Sequence, residues 1–236
     1  MRPRLPNALP VGWFDISPPV SAQTAVFPGD THFCRHEFMG FGQGDHLALS
    51  RVESTLHIGA HADAPSHYAA GGEGIDTRPL NRYIGDAQVV TVTTTIGGSV
   101  APADVRQPIT AARVLFKTHS HPDPQVWTDD FTSLSPELVA HLAGLGVALI
   151  GIDTPSIDPA PAKVLHAHHA VFAHDLAVLE GLVLRDVPDG LYTLLAQPLR
   201  LVGGDAAPVR AVLVPHVPAL ETLPRVAPSE KRWAVP

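Results

Sequence analysis

The chain has 236 residues, 45% of them hydrophobic, enough to bury a core of its own and best suited to one large domain. Its formal charge of -7 comes from acids and bases interspersed along the sequence, with no Lys/Arg-rich run and no interleaved aromatic stripe. Nucleic acid and anionic membrane are therefore set aside as partners in favour of a small molecule. The single cysteine, Cys34, excludes an intramolecular disulfide, no hydrophobic stretch reaches membrane-spanning length, and Met-Arg-Pro-Arg-Leu-Pro is not a signal-peptide start, so the expected compartment is the cytoplasm.

In chain order, Val11 to Ser17 reads as a strand and Phe27-Pro-Gly-Asp-Thr31 as the turn that reverses it. Cys34, with no positioned base near it in sequence, reads as a small buried apolar residue. Val52, Ser54, Leu56 and Ile58 then alternate with Arg51, Glu53, Thr55 and His57, the period of a half-buried strand. Continued, that period puts His57, Gly59, His61 and Asp63 on one face. Further strands are expected at Ala87 to Thr95, Arg113 to Thr118, Val147 to Ile152, Leu182 to Leu184, Leu191 to Leu201 and Val209 to Val214. Ser135-Pro136-Glu137 offers an N-cap, a first-position proline and an acid in the first turn, so a helix is predicted over Pro136 to Ala143. A second runs from about Ala162 to Phe172. The order implies an α/β or α+β protein with a large mixed sheet, one domain over 1–236 with its core at about 11–216 and a C-terminal arm at 217–236.

His57-Ile-Gly-Ala-His61-Ala-Asp63-Ala-Pro-Ser-His67 gathers three imidazoles and a carboxylate within eleven residues. Neutral imidazole nitrogen with carboxylate oxygen is a donor set for zinc or manganese, whereas magnesium and calcium take oxygen almost alone. Gly59, Ala60, Ala62 and Ala64 leave room beside the backbone. Pro65 ends the ladder and turns His67 out of the row, which suits a proton carrier better than a ligand. Further along, Glu180 stands in an apolar run, where an ionised carboxylate is costly unless paired or bound to metal. Any of His166, His168 and His169 could join it. The plain alternatives are an exposed edge residue and a solvated helix face. Two other functions fit less well. A serine hydrolase using Ser66 or Ser156 lacks a Gly-x-Ser-x-Gly elbow, and a non-catalytic metal module would not set His67 beside the cluster.

Trp13-Phe-Asp-Ile-Ser-Pro18, Val26-Phe-Pro-Gly-Asp-Thr31, the His57 to His67 cluster, Gly151-Ile-Asp-Thr-Pro-Ser-Ile-Asp158 and Leu179-Glu-Gly-Leu182 follow one another in this order. With them the chain resembles the cyclase-family metal hydrolases from about Trp13 to Pro215. Leu115 to Thr118 with Trp127 and Phe131, and Tyr192 to Leu194 with Pro208 to Ala211, point to the kynurenine formamidase (arylformamidase) branch. The resemblance implies a swivelling β/β/α fold with a mixed, barrel-like sheet, commonly a homodimer, with two zinc ions per subunit and manganese as the alternative. It also implies that His57, His61 and Asp63 are ligands, Asp63 bridging the ions. His168, twelve residues before Glu180, would be another ligand and Glu180 the second bridge. His67 would be the catalytic acid/base and Trp13 would line the pocket for an aryl formamide. The implied reaction is hydrolysis of N-formyl-L-kynurenine to L-kynurenine and formate by metal-activated hydroxide. The nearest rival is a manganese-dependent isatin hydrolase opening a cyclic amide, from which Glu180 discriminates because a dinuclear site needs it. Ile58 and Ala60 stand where the family often has Thr, and Cys34 to Gly44 has no close match.

Overall fold

The computed structural model describes residues 9–216, so the predicted arm at 217–236 lies outside the described residues. The strands are β1 (Phe14–Asp15), β2 (Cys34–Met39), β3 (Leu49–Glu53), β4 (His61–Asp63), β5 (Ile84–Thr91), β6 (Ser99–Val100), β7 (Arg113–Lys117), β8 (Ser133–Leu134), β9 (Leu149–Ile152), β10 (Ala177–Glu180), β11 (Gly190–Leu195), β12 (Ala206–Pro208) and β13 (Val212–Pro215). The helices are α1 (Pro65–Tyr68), α2 (Pro136–Gly144) and α3 (His166–Ala173).

Nine strands form one mixed sheet in the order β1-β13-β11-β5-β7-β9-β10-β4-β12, curled into a half-barrel. The mixed α/β, barrel-like architecture is thus the one expected. Its centre, β5-β7-β9-β10, is parallel, and antiparallel pairs flank it on both sides. Every residue of β7, β9 and β10 is buried, as a sheet covered on both faces requires. Alternation divides their side chains between two cores. Val114, Phe116, Ile150, Ile152 and Val178 pack under α2 and α3, while Leu115, Leu149 and Leu179 face the other side with Leu194 and Leu213.

The helix predicted at Pro136 to Ala143 is α2, one residue longer, with Ser135 Oγ accepting from the Leu138 N–H at 3.1 Å. The strands at 113 and 147 also stand close to their predicted places. Leu182 to Leu184, however, is not a strand. The ladder runs over β10 and stops at Gly181, whose φ of +66° turns the chain out of it. The Leu182 and Val183 N–H groups then donate to Ile152 and Ile16 carbonyls, so this apolar run fills the core without joining the sheet. A Cβ at Gly181 would lie 2.1 Å from the Gly59 carbonyl oxygen. Gly181→Ala is expected to cost about 2–5 kcal/mol, from left-handed strain plus overlap with backbone. A thermal-unfolding midpoint equal to that of the parent protein would contradict this.

The alternating run before the histidine cluster became β3, paired only with β2 in a separate two-stranded sheet. It buries no face, since all five β3 residues are exposed. Cys34 on β2 is exposed too, which overturns its expected burial.

Candidate metal centre

β4 enters the sheet between β10 and β12, and its register sets His61 directly opposite Glu180. Cross-strand neighbours share a face, which brings His61 Nε2 to 3.4 Å from Glu180 Oε2. Asp63, two residues on, projects to the same side as His61. Its Oδ1 lies 3.0 Å from His57 Nδ1 and 3.4 Å from His61 Nε2, and its Oδ2 lies 3.2 Å from His168 Nε2. Glu180 Oε1 is 3.4 Å from the same His168 nitrogen. Two carboxylates and three imidazoles therefore converge, with His61, Asp63, His168 and Glu180 all buried.

The imidazoles are aimed by what their other nitrogens meet. His61 Nδ1 lies 3.0 Å from the Gly59 carbonyl and His168 Nδ1 2.8 Å from Asp158 Oδ2, both acceptors only. Each Nδ1 thus carries a proton, and each Nε2 faces the acids, where the neutral ring can offer its lone pair to a metal. Asp158 also accepts the Ala167 and His168 backbone N–H groups, so one carboxylate both starts α3 and orients His168. That remote cap explains why the helix begins at His166 and not near Ala162.

Burial alone would push the His61 imidazole down, yet the nearby Asp63 and Glu180 carboxylates carry it up to about 10. Burial would raise Asp63, but His168, His57 and His61 hold it well below the usual carboxylate range. Positive charge is thus strongly favoured between these acids. His61 Nε2 and Asp63 Oδ1 are nonetheless buried without a hydrogen-bond partner, a cost that a cation between them removes. The donor atoms form two groups compact enough to hold a metal ion, His61-Asp63-Glu180 and His57-Asp63-His67, with Asp63 in both. The set fits a borderline divalent metal.

His67 sits on α1 at the edge of this cluster, its ring centroid 4.2 Å from that of His57 and its Nδ1 3.7 Å from Asp205 Oδ2. Burial leads in lowering its pKa, which keeps the ring neutral. His57 shares Asp205, its Nε2 standing 3.3 Å from Oδ2.

Beyond the cluster opens a cavity of about 600 Å³, within the range of small-molecule sites. Phe27, Trp127 and Phe131 wall it as a chain of edge-to-face rings with centroids 5.4 and 6.3 Å apart. His119 also lines it, held at φ +59° where Asp153 accepts its N–H and that of Thr118. Ser156 lines the cavity as well, but its Oγ accepts from the Asp158 N–H and faces no base.

The structure brings His57, His61, Asp63, His67, His168 and Glu180 together by a different route from the one expected. Gly59, at φ +59°, breaks the run, so His57 reaches Asp63 from a turn and not along a strand. His168 is buried at the cluster, whereas His166 and His169 are exposed. Trp13 does not line the cavity. Its neighbour Phe14 packs on the core that holds Leu115, and Trp13 itself is 40% exposed. Asp158 escaped assignment although it closes the Gly151 to Asp158 motif just before the histidine-bearing helix. Asp205 carried no local signal.

A family model described as "Putative cyclase" matches residues 14–159. The chain belongs to the cyclase family. Among its relatives, this cyclase-family chain is 44% identical over 202 residues to the kynurenine formamidase of Bordetella petrii and 46% identical to that of Bordetella pertussis. Each match covers 85% of this chain and 96% of the relative. A solved structure titled as a potential metal-dependent hydrolase with cyclase activity superposes with a TM-score of 0.73 at 29% identity, over 85% of this chain and 96% of that one. An isatin hydrolase bound to thioisatinate shares the fold, with a TM-score of 0.69 at 19% identity, over 86% and 92% of the two chains.

Proposed function

We propose that this cyclase-family chain hydrolyses N-formyl-L-kynurenine to L-kynurenine and formate. The observation that carries the reading is the pairing of Asp63 with Glu180 among three imidazoles at one end of an aromatic-walled cavity. Relatives named kynurenine formamidase at 44–46% identity favour a linear aryl formamide over a cyclic amide.

In this reading His57, His61, Asp63, His168 and Glu180 would hold two zinc ions per subunit, manganese suiting the same donors. Bound zinc supplies a Lewis acid for the formyl carbonyl and brings water to a pKa of roughly 7. The chain's own groups do the rest. Phe27, Trp127 and Phe131 receive the aryl ring and exclude water around it. Asp158 keeps the His168 tautomer. His67, neutral and at the edge of the cluster, accepts a proton as water is consumed and delivers it to the departing aniline nitrogen. Without that proton the leaving group would be an aryl amide anion.

The chain is read as one hydrolase domain, active in the cytoplasm as a homodimer. The β2–β3 hairpin supports the dimer, since it leaves Phe38, Leu49 and Val52 more than half exposed. Sedimentation at micromolar concentration should give twice the chain mass.

Steady-state assay of the zinc-loaded protein on N-formyl-L-kynurenine, followed by kynurenine absorbance, tests the activity. Turnover should vanish on chelation and return with zinc. Turnover that survives complete metal removal, or a metal-loaded protein that opens isatin and leaves the formamide intact, would overturn the reading.

A further inference from the structure

We propose that Lys163 and Arg185 form a carboxylate-recognition pair in the cavity wall, selecting aryl formamides that carry an acid on the arm remote from the formyl group. The inference deepens the formamidase reading and rests on it for the identity of the substrate.

Both side chains line the same cavity as the histidine cluster. They rise from the two segments that place the buried ligand candidates, Lys163 five residues before His168 and Arg185 five residues after Glu180. Five residues of extended chain span at most about 18 Å, so both cations are tethered within reach of one small molecule seated on the cluster. Here, among the described residues, neither forms an ion pair. Among the described residues Arg185 is braced only by its Nη2 donating to the Pro122 carbonyl, which leaves other guanidinium donors for a ligand. The acids of the same wall are otherwise engaged. Asp153 accepts from the Thr118 and His119 backbone, Asp158 caps α3 and holds His168, and Asp30 receives the Thr31 N–H.

The cavity is thus polarised. Its lining holds an acidic, metal-attracting cluster, aromatic walls that suit a ring, and two cations without a counter-charge among the described residues. A ligand matching that pattern has a reactive carbonyl at one end, a flat ring, and a carboxylate at the other. Arg185 offers the planar fork that pairs with carboxylate in bidentate fashion, and Lys163 adds a mobile point charge.

The test compares zinc-loaded parent protein with Lys163→Ala, Arg185→Ala and the double variant. Each is assayed on N-formyl-L-kynurenine and on 2-formamidoacetophenone, which keeps the ring, ketone and formamide but has no amino-acid end. The double variant should raise KM for the first substrate by about tenfold, as loss of charge-assisted contacts implies, with kcat within twofold and the second substrate unaffected. Equal losses on both substrates, or no change on either, would overturn the pair. Calorimetric binding of L-kynurenine and of 2-aminoacetophenone separates this idea from the activity. A parent protein that turns over neither formamide but prefers kynurenine, and loses that preference in the double variant, keeps the carboxylate pair and loses the formamidase reading. Turnover of both formamides with no preference for the acid-bearing one does the reverse.

Discussion

Alanine in place of His67 is expected to lower kcat by about 10²- to 10⁴-fold, the range that a positioned proton carrier contributes, while purified protein retains its full metal content. His67 lies on α1, outside the sheet that carries Glu180 and Asp63, its ring is the most exposed of the clustered imidazoles, and burial among its neighbours keeps it neutral. It stacks on His57 and stands 6.0 Å from the ring of His168, so its loss removes no contact that aims His61 or His168 at the acids. A ligand role competes with this one, because His57, Asp63 and His67 are also compact enough to hold an ion. Elemental analysis beside the kinetics decides between them. Metal and turnover lost together would make His67 a ligand and move the proton-carrying role elsewhere.

Asp63→Asn should have the other large effect, with metal affinity falling by more than about 100-fold, beyond what losing an outer-shell partner costs, and activity falling with it. Asp63 is the one residue common to both donor groups, and its two oxygens face different imidazoles, Oδ1 toward His57 and His61 and Oδ2 toward His168. The amide keeps the shape and removes the charge, so the buried imidazoles lose the carboxylate that favours a cation among them. Titration against a chelating dye measures the change. Glu180→Gln touches only one of the two donor groups and should be the milder lesion. An Asp63→Asn variant that still binds metal stoichiometrically and tightly would remove Asp63 from the centre.

The family resemblance and the sequence together indicated the chemistry, and the structure explains why they could. The donor types and spacing of the His57 to His67 run depend on local sequence alone, as do the Ser135 cap and Pro136 of α2 and the apolar stretches within β7 and β9. Such features report themselves because the interactions that cause them lie within a few residues. What only the tertiary structure decided involves partners far apart in the chain. Glu180 meets His61 through β4–β10 register, His168 was singled out from its neighbours by Asp158 and by the acids it faces, and Asp205 arrives beside His57 from 148 residues away. Gly181 ended β10 because the Gly59 backbone occupies the space a side chain would need. The alternation through β3 reads as a half-buried strand, and the apolar run Leu182 to Leu184 as a strand. In one case no core lies beneath it, and in the other the core is filled by a chain that is not a strand. Periodicity records which side chains can be buried together, and only the packing of distant segments determines whether anything is there to bury them against.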